Sequence, residues 1–229
     1  MTLTAPSRRS SPAEDTAVVT TSVVVFTIRG RRLELLLVGR RSEPFRGYWN
    51  LPGGNVLPEE DLEVCAERKL REKAGVEGVY LEQLYTFGRP DRDPRGRVVT
   101  VAYYALVPPS RLRQPAAADA GMVGWFALDG LPALAFDHGE IVGQAHRRLV
   151  AKLDYSTIAY QFMPEAFTLS QLQGVYESIL GEPLDKRNFR KRVLGLGHLV
   201  ETGTVCRDGS HRPAKLYRLR NPRTVEIIK

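Results

Sequence analysis

Two groups of side chains in this sequence could do chemistry. The first follows the glycine-bearing run Leu51-Pro52-Gly53-Gly54-Asn55: Glu60, then Arg68, Lys69, Glu72 and Lys73, spaced so that a helix puts positions 69, 72 and 73 on one face. With two lysines and one glutamate, positions 69, 72 and 73 sum to +1, a charge that repels a dication and attracts an anion. At about 100° per residue, Lys69 and Lys73 fall on the side of Leu62, Cys65, Ala66 and Leu70, whereas Glu63, Glu67 and Arg71 take the outward side. Two ammonium groups directed towards a pocket can bind a diphosphate without activating water.

The second group is Lys186-Arg187-Asn188-Phe189-Arg190-Lys191-Arg192, with five cations in seven residues, followed by Arg207, His211, Arg212 and Lys215. The last 79 residues carry 13 Lys and Arg against 8 Asp and Glu, while the first 150 carry 20 against 18, so most of the +7 net charge is carboxy-terminal. On a helix, Phe189, Val193 and Leu196 face inward; Arg187, Lys191 and, to one side, Asn188 face outward, flanked by Lys186 and Arg190. Donors that can bridge guanine or adenine edges, ringed by cations that neutralise phosphates, suit the major groove of double-stranded DNA.

The surrounding elements must position both groups. Val18 to Ile28 and Leu33 to Val38 are rich in β-branched residues and leucine and are joined by Arg29-Gly30-Arg31-Arg32, which predicts two paired strands. Further strands are expected at Leu81 to Phe87, Val98 to Val107 and Val123 to Phe126, interrupted by one helix from Asp61 to about Lys73. Ile141, Val142, Ala145, Leu149 and Leu153 recur at helical spacing behind a candidate cap, Asp137, with Glu140 in the first turn. Thr168-Leu169-Ser170-Gln171 has the form of a capping box, and its helix stops at Gly181. Asp185 can cap the basic helix, and two strand-like runs, Leu199 to Val205 and Lys215 to Leu219, follow. Helix, tight turn, basic helix and hairpin is the order of a winged helix-turn-helix. The expected fold class is therefore α+β: residues 1 to 15 a disordered tail, 16 to 150 a sheet with helices packed on it, and 151 to 229 a winged helix-turn-helix.

At 229 residues the chain can hold two ordinary domains. Its longest apolar runs are too short to span a bilayer, and residues 1 to 16 have no signal-peptide core, so a cytosolic location is expected. Cys65 and Cys206 are far apart, and His138, His146, His198 and His211 have no metal-ligand spacing. No cofactor is called for.

Leu51 to Val76 resembles the Nudix box: glycine, five residues, glutamate, seven residues, Arg-Glu, an aliphatic, any residue, Glu-Glu, any residue, glycine and an aliphatic. Gly54, Glu60, Arg68, Leu70, Glu72, Gly75 and Val76 fall in register, and Lys69 and Lys73 stand where that family has glutamates, whose carboxylates at i, i+3 and i+4 hold Mg²⁺ against a substrate diphosphate. A Nudix-like domain followed by a winged helix is similar to the NrtR family of Nudix-related regulators of NAD synthesis, as are Phe87 to Val98, Ala135 to Ile141 and Leu184 to Val193. The resemblance implies a Nudix α/β/α sandwich and a homodimeric repressor on palindromic operators of NAD-biosynthesis genes, with ADP-ribose as effector. The ligand contacts expected are Arg46, Tyr48, Trp49, Lys69, Lys73, Arg89 and Arg92, with Mg²⁺ disfavoured. The competing readings are a Nudix pyrophosphatase working through Glu60 and Glu72, and a regulator of the same architecture that senses a sugar.

Overall fold

A computed structural model describes residues 16–112, 123–206, 213–221 and 224–228. The first strand, β1 (Val18–Arg29), turns through Gly30 and Arg31 into β2 (Arg32–Gly39). Then come β3 (Trp49–Asn50), β4 (Gly53–Asn55), α1 (Leu62–Ala74), β5 (Tyr80–Phe87), β6 (Val98–Leu106) and β7 (Val123–Ala127). The sheet runs β3-β2-β1-β6-β5, with β4 pairing on β1 and β7 on β2; β1 and β6 are parallel, and the other pairs are antiparallel.

Alternation along β1 explains the layers, because a period of two sends neighbouring side chains to opposite faces. Val23 and Val25 join Leu36, Val101 and Tyr103 beneath α1, through Ala66 and Leu70. Val24 and Phe26 join Leu35, Leu37 and Tyr104 beneath α2 (His138–Tyr155), through Ile141, Val142 and Leu149. The sheet is thus covered by a helix on each face, as expected from the sequence.

The second core does not end with the sheet. Leu153, Ile158, Phe167, Leu172 and Phe189 continue it into a winged helix built from α3 (Leu169–Leu180), α4 (Lys186–Gly195) and the hairpin β8 (Leu199–Cys206) and β9 (Ala214–Leu219). Thr168 and Gln171 form the capping box, and Gly181 closes α3 at φ 76°, a left-handed conformation that glycine adopts without steric cost. Phe167 and Tyr217 bridge the hairpin to the start of α3. α2 runs unbroken through Val150, the position at which the sequence suggested a boundary. Asp137 sits at the N-cap of α2 but makes no side-chain capping bond, contrary to expectation, because its carboxylate is taken by Arg92. Among the described residues no helix is long and apolar enough to cross a membrane.

Candidate functional site

Pairing of β4 with β1 fixes the glycine loop against the start of α1. A Cβ at Gly53 would lie 2.3 Å from the Thr21 carbonyl oxygen, so the approach needs glycine. At Gly54 a Cβ would lie 2.7 Å from Lys69 Cε, which places the lysine stem directly under the loop. Asp61 caps α1 by accepting from the Glu63 amide, and Gly75 closes it at φ 64°.

The charges on this helix largely satisfy one another. Arg68 donates through Nε and Nη2 to both oxygens of Glu60, each at 2.6 Å, and through Nη1 to Glu72 at 3.2 Å. The Arg68 pair, helped by the Leu57 amide, holds the Glu60 carboxyl down to about 2. Lys69 Nζ donates to Glu72 Oε2 at 2.8 Å and, with Arg68, lowers that carboxyl too. Lys69 and Lys73 are half-buried, on the inner side given by helical rotation.

A second cluster lies at the loop between β2 and β3 and the start of α2. Phe45 meets Tyr48 and Phe136 edge-on, at centroid distances of 5.8 and 4.8 Å. The guanidinium groups of Arg40 and Arg95 lie over the Phe136 ring at 4.7 and 5.5 Å, a cation–π arrangement. Arg95 is clamped bidentately by buried Asp93, whose carboxyl it lowers. His138 ties this cluster to the glycine loop: its Nδ1 accepts from the Leu51 amide at 3.0 Å, and burial pushes its pKa down to about 4, so the ring is neutral.

The expected ligand contacts divide accordingly. Tyr48 and Arg46 are exposed on the loop that carries Phe45. Trp49 is instead built into the sheet: its backbone pairs with Ala133 and Ala135, and its half-buried ring lies edge-on to Phe126 at 4.6 Å. Arg89 reaches Glu140 at 3.2 Å. Arg92, expected as a ligand contact, is committed to Asp137 through Nε and Nη2 at 2.9 and 2.7 Å, with both side chains almost wholly buried. A buried guanidinium needs such a carboxylate to offset its lost hydration. Sequence reasoning missed Arg40 and noted Arg95 and Phe136 only within the family-like segments Phe87 to Val98 and Ala135 to Ile141; the positive φ of Phe136 (55°) brings its ring under two arginines that its neighbours in sequence do not disclose.

On the winged helix, Asp185 caps α4 by accepting from the Asn188 amide at 2.8 Å. Phe189 and Val193 are buried, and Lys186, Arg187, Asn188, Arg190 and Lys191 are all exposed, which brings the predicted row together on one surface. Lys215 lies on β9, paired with Glu201 at 2.9 Å. Arg207, His211 and Arg212, expected at the hairpin tip, lie outside the described residues.

A three-layer sheet domain carrying a Nudix-type loop and helix, fused to a winged helix with an exposed basic face, defines a two-domain architecture of Nudix and DNA-binding type. Residues 18–145 match the NUDIX domain family, and residues 159–219 match the NrtR DNA-binding winged helix domain. The chain is 40% identical over 204 residues to the ADPR responsive transcriptional repressor NtrR of Acinetobacter baylyi, covering 87% of this chain and 81% of the relative. It superimposes on Shewanella oneidensis NrtR complexed with a 27mer DNA with a TM-score of 0.80 at 40% identity, covering 89% and 94% of the two chains. The NUDIX domain of that Shewanella protein complexed with ADP ribose matches with a TM-score of 0.52 at 39% identity, over 58% of this chain and 89% of the other. The chain belongs to the NrtR family of Nudix-related transcription regulators.

Proposed function

We propose that this protein is a transcriptional repressor that holds operator DNA through α4 and the β8–β9 wing and is released from it by ADP-ribose bound to the Nudix domain. The observation that carries this reading is the joining, through one continuous core, of a Nudix helix with Lys69 on its metal face to a helix whose outward face is a row of exposed cations. The relatives named above are described as ADP-ribose responsive, DNA-bound and ADP-ribose-bound, which supports the same two ligands here.

A diphosphate suits Lys69 and Lys73, with Arg46 and Arg89 as further cations. The rings of Tyr48, Phe45 and Phe136, backed by Arg40 and Arg95, offer a surface on which an adenine can stack. Arg92 acts one step back, by fixing Asp137 at the start of α2.

The residues present do not fit the Mg²⁺ of a Nudix hydrolase. Glu60 is spent on Arg68 and the Leu57 amide, Glu72 on Arg68 and Lys69, and a dication would meet an ammonium where it needs a third carboxylate. The domain therefore reports the ligand without consuming it. Two copies related by a twofold axis would read a palindromic operator of NAD-biosynthesis genes, and ADP-ribose releases the DNA only by preferring the arrangement in which the two α4 helices are wrongly spaced.

The test is selection of bound DNA from a random pool, followed by anisotropy of the selected duplex with and without saturating ADP-ribose; the duplex is expected to be palindromic and to dissociate. Unchanged affinity would overturn the switch. AMP formed from ADP-ribose and Mg²⁺ at enzymatic rates, about 1 s⁻¹ or more, would instead establish a pyrophosphatase.

A further inference from the structure

The β1–β2 turn places an arginine where a hairpin favours glycine or asparagine. Gly30 and Arg31 have φ of 54° and 64°, the two consecutive left-handed residues of a tight hairpin turn. A long side chain held in that conformation invites a functional explanation. Arg31 Nη2 reaches across to Glu177 Oε2 on α3 at 2.5 Å, 146 positions away in sequence.

Glu177 has a second task. Its Oε1 accepts from the Leu184 amide at 3.1 Å and from Gln173 Nε2 at 2.9 Å, and Gln173 Nε2 also donates to the Leu184 carbonyl at 2.9 Å. Leu184 is the residue before Asp185, the cap of α4, so one largely buried carboxylate grips both the effector domain and the turn that launches the DNA-facing helix. The inner part of this seam is filled by the shared apolar core, through Leu33, Leu172 and Ile179. At its outer edge an open groove of about 490 Å³ is lined by Arg31, His146, Glu177, Gly181 and Pro183, and His146 Nε2 donates to the Ile179 carbonyl at 2.9 Å. A packed interface of this kind can switch between discrete arrangements, and the polar bridges at its edge are what would change partners.

The strand that carries this turn also reaches the ligand-side cluster. β2 begins at Arg32, paired on both edges by β1 and β7, and ends at Gly39; the next residue, Arg40, lies over Phe136. We infer that Glu177 is a positioning residue for the DNA-reading surface: it fixes Leu184 ahead of α4 and is itself held by Arg31, so that β2 passes the state of the ligand-side cluster to α4. This inference rests on the reading of the protein as an ADP-ribose-released repressor.

The experiment uses the full chain and a duplex selected from a random pool, and it reads the ratio of operator Kd with saturating ADP-ribose to that without. Arg31→Ala removes an exposed side chain, and Glu177→Gln keeps the acceptor for Leu184 while deleting the charge. Both are expected to lower the ratio at least about threefold towards unity while ADP-ribose affinity of the DNA-free protein stays unchanged, and Arg31→Lys is expected to restore most of it. A purely structural role would weaken operator binding equally with and without ligand and leave the ratio intact; that result in both variants overturns the inference. A wild-type ratio of one would overturn the repressor reading before any variant is made, and the inference with it.

Discussion

α1 and α4 are both short helices capped by an aspartate, and both are dense in cations, yet they treat those cations in opposite ways. On α1, Arg68 is shared between Glu60 and Glu72, and Lys69 is paired with Glu72. On α4, no ion pair among the described residues reaches Lys186, Arg187 or Lys191, and Arg190 makes only a long hydrogen bond of 3.4 Å to Ser170. A helix whose charges are met from within its own domain holds a loop in shape and meets a small anion at its edge. On α4, among the described residues, only Arg192, at the end of the helix, meets a carboxylate, Asp154 at 3.6 Å; the outward cations, without counter-charges, are prepared for a polyanion that brings its own. The regions around them differ in burial, since the Nudix domain buries a full ion pair, Arg92 with Asp137, whereas the Lys215–Glu201 pair of the wing stays exposed.

The largest expected effect breaks the compensated side. Arg92→Ala leaves Asp137 buried without a partner, and such losses cost about 3–5 kcal/mol. Thermal melting should show a drop of that order, with Arg92→Met combined with Asp137→Leu recovering part of it. An unshifted melt would mean that the pair is not buried in solution.

Next comes the acid response of the same region. His138 is neutral and depressed to about 4 in the fold, whereas an unfolded histidine titrates near about 6.5, so the unfolded chain binds the extra proton first. Stability conferred by the neutral ring is complete above about pH 6.5 and is lost as pH falls towards 4, by about 3 kcal/mol in all. Glu60, depressed to about 2, adds its own loss at lower pH, below the usual carboxylate range. Denaturant unfolding at stepped pH should resolve the two windows, and His138→Asn should flatten the upper one while leaving the lower.

How far each of these residues could be read from sequence follows from how local its cause is. The pairing of β1 with β2, the turn at Gly30 and Arg31 and the capping box at Thr168 are set by neighbours within a few positions, and they stand where the sequence put them. Rotation of an ideal helix placed Lys69 inward and Arg187 outward for the same reason. β3 and β4 carry two and three residues, too few to show any period. Arg92 sits among other charges in a loop, and only the approach of Asp137, 45 positions on, turns an apparent ligand contact into a structural pair. Phe136 and Arg40 likewise acquire meaning only from each other.

On the uncompensated side the prediction is inverted. Arg187→Ala with Lys191→Ala should leave the melting temperature unchanged, because among the described residues neither side chain has a partner to lose, and should weaken operator binding by about 1–3 kcal/mol for each base contact removed. Where a side chain meets phosphate instead, the dependence of log Kd on log salt should flatten by about one unit. Lys69→Ala and Lys73→Ala should leave operator affinity alone and weaken ADP-ribose. Loss of operator binding from the α1 substitutions would erase the division of labour between the two helices.

The smallest effect probes whether α4 owes its place to local or distant bonds. Thr168→Ala removes an acceptor from the Gln171 amide and should cost about 1 kcal/mol, a typical price for a lost N-cap. α3 carries both Gln173 and Glu177, the two residues that hold Leu184, so fraying begins two turns before the clamp. If α3 acts as a rigid lever, the whole 1 kcal/mol appears as global stability and operator affinity is untouched. If the lever bends, hydrogen exchange should rise first at Leu184 and Asn188, whose amides are held by Glu177 and Asp185, and operator affinity should fall while the effector domain keeps its protection.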